Sequence, residues 1–177
     1  MKAILLITLT ACMLIGCSNQ TTSLTPQEKA FAGKYYAIKS DTIGIKQIYG
    51  TIESYTDYKI DRSAHSSAML KLFFSTESIG TIILEYEMTY NSEWKIRNDT
   101  LFESLIPDSY KMSLKKINQQ GILADKLSEQ MEPFAEMFSA QLKEELLKQD
   151  AVKIVELTPE KVIIELDGVN ETIKKVK

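Results

Sequence analysis

The chain has 177 residues, of which 44% are hydrophobic and 25% charged, with a formal net charge of −3. That length is one domain's worth and is enough to bury a real core. The acidic balance argues against nucleic acid as a partner, because such binding rests on Lys and Arg neutralising phosphates.

Met1 and Lys2 form a short positive start, and residues 3–13 are mostly apolar. This stretch is too short for a mature membrane-spanning helix, which needs about 20 residues. A positive end, a short apolar core and a closing small residue together read as a secretory signal over residues 1–16. Its end, Leu14-Ile15-Gly16-Cys17, resembles the bacterial lipobox. The resemblance implies cleavage before Cys17, lipid on its thiol and several acyl chains such as palmitate on the new N-terminus. Two or more chains anchor a protein stably, where one binds only marginally. Ser18 in the next position resembles the signal for release to the outer membrane in enteric-type bacteria. In a Gram-positive host the same lipobox implies the outer face of the plasma membrane. Cys12 would leave with the leader and Cys17 would be consumed by lipid, so the mature domain is expected to have no thiol chemistry. Loss of Lys2 leaves 20 basic side chains against 24 acidic ones, a net charge of −4.

Residues 17–27 are polar and predict a tether. The domain proper is expected over residues 28–177. A short helix should start at Pro26, with Thr25 as its N-cap, and run to about Ala32. From Gly33 to Lys116 the pattern is strand after strand. Ile82, Leu84, Tyr86, Met88 and Tyr90 share one face, and Thr81, Glu85, Glu87 and Asn91 the other. Ala68, Leu70, Leu72 and Phe74 repeat the alternation, as do Tyr110, Met112 and Leu114. Turn-like stretches at residues 61–67, 75–80, 91–93, 98–99 and 107–108 separate the runs and predict an antiparallel meander. The period then changes. Leu127, Met131, Phe134, Phe138, Leu142 and Leu146 form a helix stripe within residues 123–149. Pro133 should bend or restart that helix. Three strands close the chain, at residues 152–157, 162–166 and 169–176, with an Asp167-Gly168 hairpin turn between the last two.

Some of these strand ends resemble a family. Gly33-Lys34-Tyr35-Tyr36 is similar to the Gly-x-Trp opening of lipocalin-like domains, with Tyr35 where Trp is usual. The run from Tyr90 through Trp94-Lys95-Ile96-Arg97-Asn98-Asp99 to Leu101 resembles a hairpin of small bacterial lipocalin-like domains. Residues 153–164 look like their final hairpin, and Lys174 or Lys175 matches the basic residue that ends their last strand. The resemblance covers most of residues 33–116 and 152–177. It departs from the family at the missing Trp and at the helix before the final strands. It implies a mainly β (α+β) fold: an antiparallel lipocalin-like meander barrel, closed or left open, with one amphipathic helix inserted. In closed lipocalins a helix packs outside the barrel after the main strands; this one is read as serving a similar role or, as core, covering one end or side of the sheet.

Few residues suggest catalysis. His65 is the only histidine and sits in a Ser-rich stretch read as a polar turn, which lacks the rigidity a catalytic triad needs. No metal motif or phosphate-cradling loop appears, so no metal or cofactor is expected. Glu85 and Glu87 face the same way, but Thr81 and Asn91 beside them mark a solvated face. All eight tyrosines fall in the strand region. Tyr58, Tyr86, Tyr90 and Trp94 are the candidate pocket wall, since ligand sites are apolar with a few polar groups. The helix reads as core, lid or docking surface. With seven acids against three bases between residues 124 and 150 it is not an interfacial membrane helix. These features point to a lipid-anchored envelope protein, not an enzyme, that binds a small apolar or amphipathic ligand. The alternative is a protein-interaction module, as accessory subunit of an envelope assembly or inhibitor of an envelope enzyme.

Overall fold

The computed structural model describes residues 23–42, 49–76, 80–118, 122–148, 151–166 and 168–176. The lipobox-like segment with Cys17, and Asp167 of the last hairpin, lie outside the described residues.

The chain enters through helix α1 (Pro26–Phe31). Thr25 caps it as its residue type predicts: the side chain accepts from the Glu28 amide, and the Glu28 side chain returns to the Thr25 amide. Five strands follow: β1 (Gly33–Thr42), β2 (Tyr49–Tyr58), β3 (Ser63–Thr76), β4 (Gly80–Arg97) and β5 (Thr100–Leu105). Then come β6 (Lys111–Ile117), helix α2 (Ile122–Lys148), β7 (Ala151–Leu157), β8 (Lys161–Leu166) and β9 (Val169–Val176). All pairings are antiparallel. β1 to β5 form the expected meander, β5 pairs with β7, and β9 returns to β1 through Lys34↔Val176, Tyr35↔Lys175 and Tyr36↔Lys174. The result is a closed barrel of eight strands, neither open nor flattened. β6 stands outside that ring. It shares one edge of β4 with β5, pairing along Leu84 to Thr89 while β5 takes Ser92 to Arg97.

Two expected turns are strand instead. Asn91, Ser92 and Glu93 lie inside the continuous 18-residue β4, because both their edges are paired. Residues 63–67 belong to β3, and the turn contracts to Ile60, Asp61 and Arg62. Arg62, at φ 66°, takes the left-handed conformation that lets the chain reverse so tightly. His65 therefore sits on a strand, on its exposed face, with Nδ1 2.8 Å from Asn91 Oδ1.

α2 is one continuous helix with Pro133 inside it, not restarted. Met131 and Phe134, on either side of the proline, pack into the same cluster and hold both halves in place. The stripe covers one end of the sheet, as a core helix is expected to do. The helix packs on Leu70, Leu72, Leu84 and Tyr86, which share the inward face of β3 and β4 with the residues of the barrel interior. α2 thus occupies one end of the barrel from within. Its apolar stripe is wide enough to need a concave apolar partner, and the convex outer face carries Glu85, Glu87 and Lys71 instead.

Candidate ligand cavity

The opposite end of the barrel is closed by α1. Phe31 is fully buried, stacks on Tyr35 at 5.1 Å between ring centroids, and meets Tyr58 at 4.9 Å and Trp94 at 5.4 Å. The Trp94 indole N–H donates to the Lys59 and Ser63 carbonyls at 3.2 and 3.1 Å, which ties the aromatic floor to the β2–β3 turn. Glu28 fixes the plug. Its carboxylate is 2% exposed and accepts from Arg62 Nε and Nη2 at 3.1 and 2.9 Å and from the Thr25 and Ile96 amides. The hydrogen-bonded Arg62 guanidinium holds its pKa down at about 2, against the cost of burial. Across the barrel seam, Lys175 donates to the Ala30 carbonyl at 2.7 Å and sits 5.5 Å from the Tyr35 ring centroid. Of Lys174 and Lys175, the two lysines matched to the basic residue near the end of the last strand, Lys175 is the one that reaches α1 and Tyr35. Burial pulls its pKa down.

Between this floor and α2 lies a cavity of about 330 Å³. Its apolar lining includes Leu101, Leu105, Val152, Val162 and Ile164, and Leu146 of α2 completes it. The space exists because neighbouring inward positions carry small side chains: Ala37 on β1, Ser54 and Thr56 on β2, and Ser92 on β4.

One wall is polar. Glu103, on β5, accepts from the Tyr58 hydroxyl at 2.7 Å and from the Ser92 hydroxyl at 2.6 Å. Tyr90 reaches into the same space and hydrogen-bonds Ser66, whose hydroxyl lies 2.9 Å from that of Thr56. Burial, reinforced by the charge on Glu103, pushes the Tyr58 hydroxyl well above its ordinary pKa. Burial and the same charge raise Tyr90, and its bond with Ser66 opposes them. Both phenols therefore stay protonated and act as hydrogen-bonding groups, not as bases. Lys39 and Glu171 also line the space and pair with each other at 2.7 Å.

Of the four aromatic residues expected to form a pocket wall, the structure places Tyr58 and Tyr90 in this cavity. Trp94 faces inward but is consumed by the floor, packed against Phe31 and Tyr58. Tyr86 lies under α2, where its hydroxyl is buried and has no hydrogen-bond partner among the described residues. The sequence reading missed Glu103. Its signal was an acid between Leu101 and Leu105, at the alternation that turns both leucines inward. Glu85 and Glu87 lie on the outer face, near Lys71 and Lys115 at 3.9 and 2.6 Å. Among the described residues no group of His, Cys, Asp and Glu is arranged to hold a metal ion. No helix of the described residues is long and apolar enough to cross a membrane.

The fold and cavity define a closed antiparallel barrel with a partly polar interior, plugged by one helix and capped by another. No family model matches the chain, and no curated protein matches it.

Proposed function

We propose that this protein is a lipid-anchored bacterial envelope lipoprotein with a lipocalin-like domain that binds a small apolar or amphipathic ligand inside its barrel. The observation that carries the reading is the cavity of about 330 Å³ lined by Tyr35, Tyr58 and Tyr90. Small-molecule sites occupy roughly 300–1,000 Å³ and combine apolar walls with a few placed polar groups. A filled barrel would have favoured a protein-interaction module. The closed eight-strand meander, with β9 returning to β1, supports the lipocalin-like reading. A binding role in place of catalysis is supported by His65. It lies on the outer face of β3, while Ser66 and Ser92 point into the barrel, so the histidine meets neither interior serine. The lipobox-like Leu14-Ile15-Gly16-Cys17 supports attachment through Cys17, in a Gram-negative host on the periplasmic face of the outer membrane.

Native mass spectrometry of the protein purified from its own host tests the binding role. Added mass from a small molecule is expected, and a co-purifying protein with an empty barrel would overturn the reading. Cys17→Ser tests the anchor. It should leave the chain uncleaved and unlabelled by fatty acid, and labelling that survives would defeat the lipoprotein assignment.

A further inference from the structure

We infer that the ligand carries a protonated amine, and that its ammonium group docks on Glu103 at the deep end of the barrel. This rests on the ligand-binding reading above and adds the chemical class of the ligand and its orientation.

Glu103 has two bonds, and both come from neutral donors, the hydroxyls of Tyr58 and Ser92. A carboxylate offers about four acceptor positions, so about half its capacity is unused. None of the ion pairs among the described residues includes Glu103. The buried carboxylate of Glu28, by contrast, is paired with Arg62. Glu103 is partly buried, and among the described residues its bonds come from hydroxyls with no cation beside it.

The barrel does not supply that cation from the other end. Lys39 is the basic residue of the cavity lining, and it pairs with Glu171. On β1, Lys39 stands six residues beyond Gly33, which is the register partner of Tyr58. Gly33 to Lys39 spans about 20 Å along β1, so the Lys39–Glu171 pair stands well apart from Gly33 on that strand, and the cavity lining also includes the apolar Leu101, Leu105, Val162 and Ile164.

This arrangement ranks the possible head groups. An ammonium would donate to the open positions of Glu103 and neutralise it, with the aromatic rings of Tyr58 and Tyr90 close by to favour a cation further. A hydroxyl would donate one bond but leave the charge uncompensated. A fatty-acid carboxylate would meet like charge and be repelled. The apolar body of the ligand would then run toward the Lys39–Glu171 mouth.

Isothermal titration calorimetry decides between them with three probes of equal chain: decylamine, decanol and decanoate. The protein is the chain from Ser18 onward, which retains every described element. Decylamine should bind at least about ten-fold tighter than decanol, as a charge-assisted bond implies, with decanoate weakest. Glu103→Gln should abolish the preference, bringing decylamine to within about two-fold of decanol measured on the same variant. Equal affinities for the three probes, or an E103Q protein that holds decylamine as tightly as the wild type, would overturn the amine assignment while leaving a ligand-binding barrel. If none of the three binds, the cavity reading itself fails and the inference falls with it. The wild-type ranking stands as the test even if E103Q does not fold.

Discussion

Replacing Glu28 by Gln removes the charge that locks α1 into the barrel floor while keeping the shape of the side chain. Glu28 is 2% exposed and its Arg62 partner 30%, so water screens the pair from one side only. A fall in pKa from 4.5 to about 2 corresponds to about 3 kcal/mol of preferential stabilisation of the folded state. Partial solvation of Arg62 trims that to about 2–3 kcal/mol. In the variant the new amide also places an N–H group among donors from Arg62, Thr25 and Ile96, so at least one bond is lost outright. Urea denaturation at pH 7 should show E28Q less stable by about 2–3 kcal/mol, which is a fall in Tm of roughly 4–12 °C for a chain of this size. The pH dependence has a fixed sign. The folded-state pKa lies below the unfolded one, so the contribution is present in full above about pH 4.5. It is lost as pH falls from 4.5 toward 2. The gap between wild type and E28Q should therefore narrow over that window, because the other carboxylates are common to both proteins. A variant as stable as the wild type at pH 7, or a gap that stays constant down to pH 2, would refute the account of the plug.

Three further substitutions test other parts of the frame. Gly33 has φ 144°, and a Cβ there would meet Lys175 Cε at 2.6 Å. Gly33→Ala should cost about 1–3 kcal/mol by chemical denaturation, and adding Lys175→Ala should not restore it, since the backbone conformation remains unfavourable. Phe138 is 7% exposed and stacks on Phe134 at 5.7 Å, so Phe138→Ala should cost about 3–5 kcal/mol and expose α2 to limited proteolysis. Tyr86→Phe should be neutral or stabilising by about 1 kcal/mol, because the hydroxyl it removes is buried and unpartnered. A clear loss of stability in that variant would show that the hydroxyl has a partner in solution.

Local periodicity carried most of the secondary structure. The alternation through Ile82, Leu84, Tyr86, Met88 and Tyr90, the stripe from Leu127 to Leu146 and the Thr25 cap each record a short-range rule, and each element formed where the rule placed it. Closure is different in kind. Lys34 and Val176 pair across nearly the whole chain, and no local pattern distinguishes that rung from an open edge. The side of the sheet taken by α2 was equally hidden, because an amphipathic stripe says that a helix needs an apolar partner and not which one. His65 was misplaced because serines suggest turns, although Ala64, Ser66 and Ala68 already alternate inward. Tyr58, Tyr86, Tyr90 and Trp94 all point into the barrel, but depth along its axis decides whether such a side chain meets open space, the floor or the helix. Period-two alternation gives the face and not the depth.

The size of the space makes its polarity informative. Unfilled volume in a core forgoes packing, so small side chains around a space of about 330 Å³ give up contacts that larger apolar ones would make. The inward small residues Ala37, Ser54, Thr56 and Ser92 would be expensive to keep if they only left a packing defect. Larger apolar residues at those positions would pack there, as Leu70, Leu72 and Leu84 pack against one another and Phe138 under α2. Ser54, Thr56, Tyr90 and Glu103 provide hydrogen-bonding sites through which water can occupy the space when no ligand is bound. A ligand must then displace water from an apolar wall, which is favourable, and from Glu103, which is costly unless the ligand replaces those hydrogen bonds. The balance favours a molecule with an apolar body and one strong donor end. On the proposed binding role, the residues that keep the cavity open would also select what enters it.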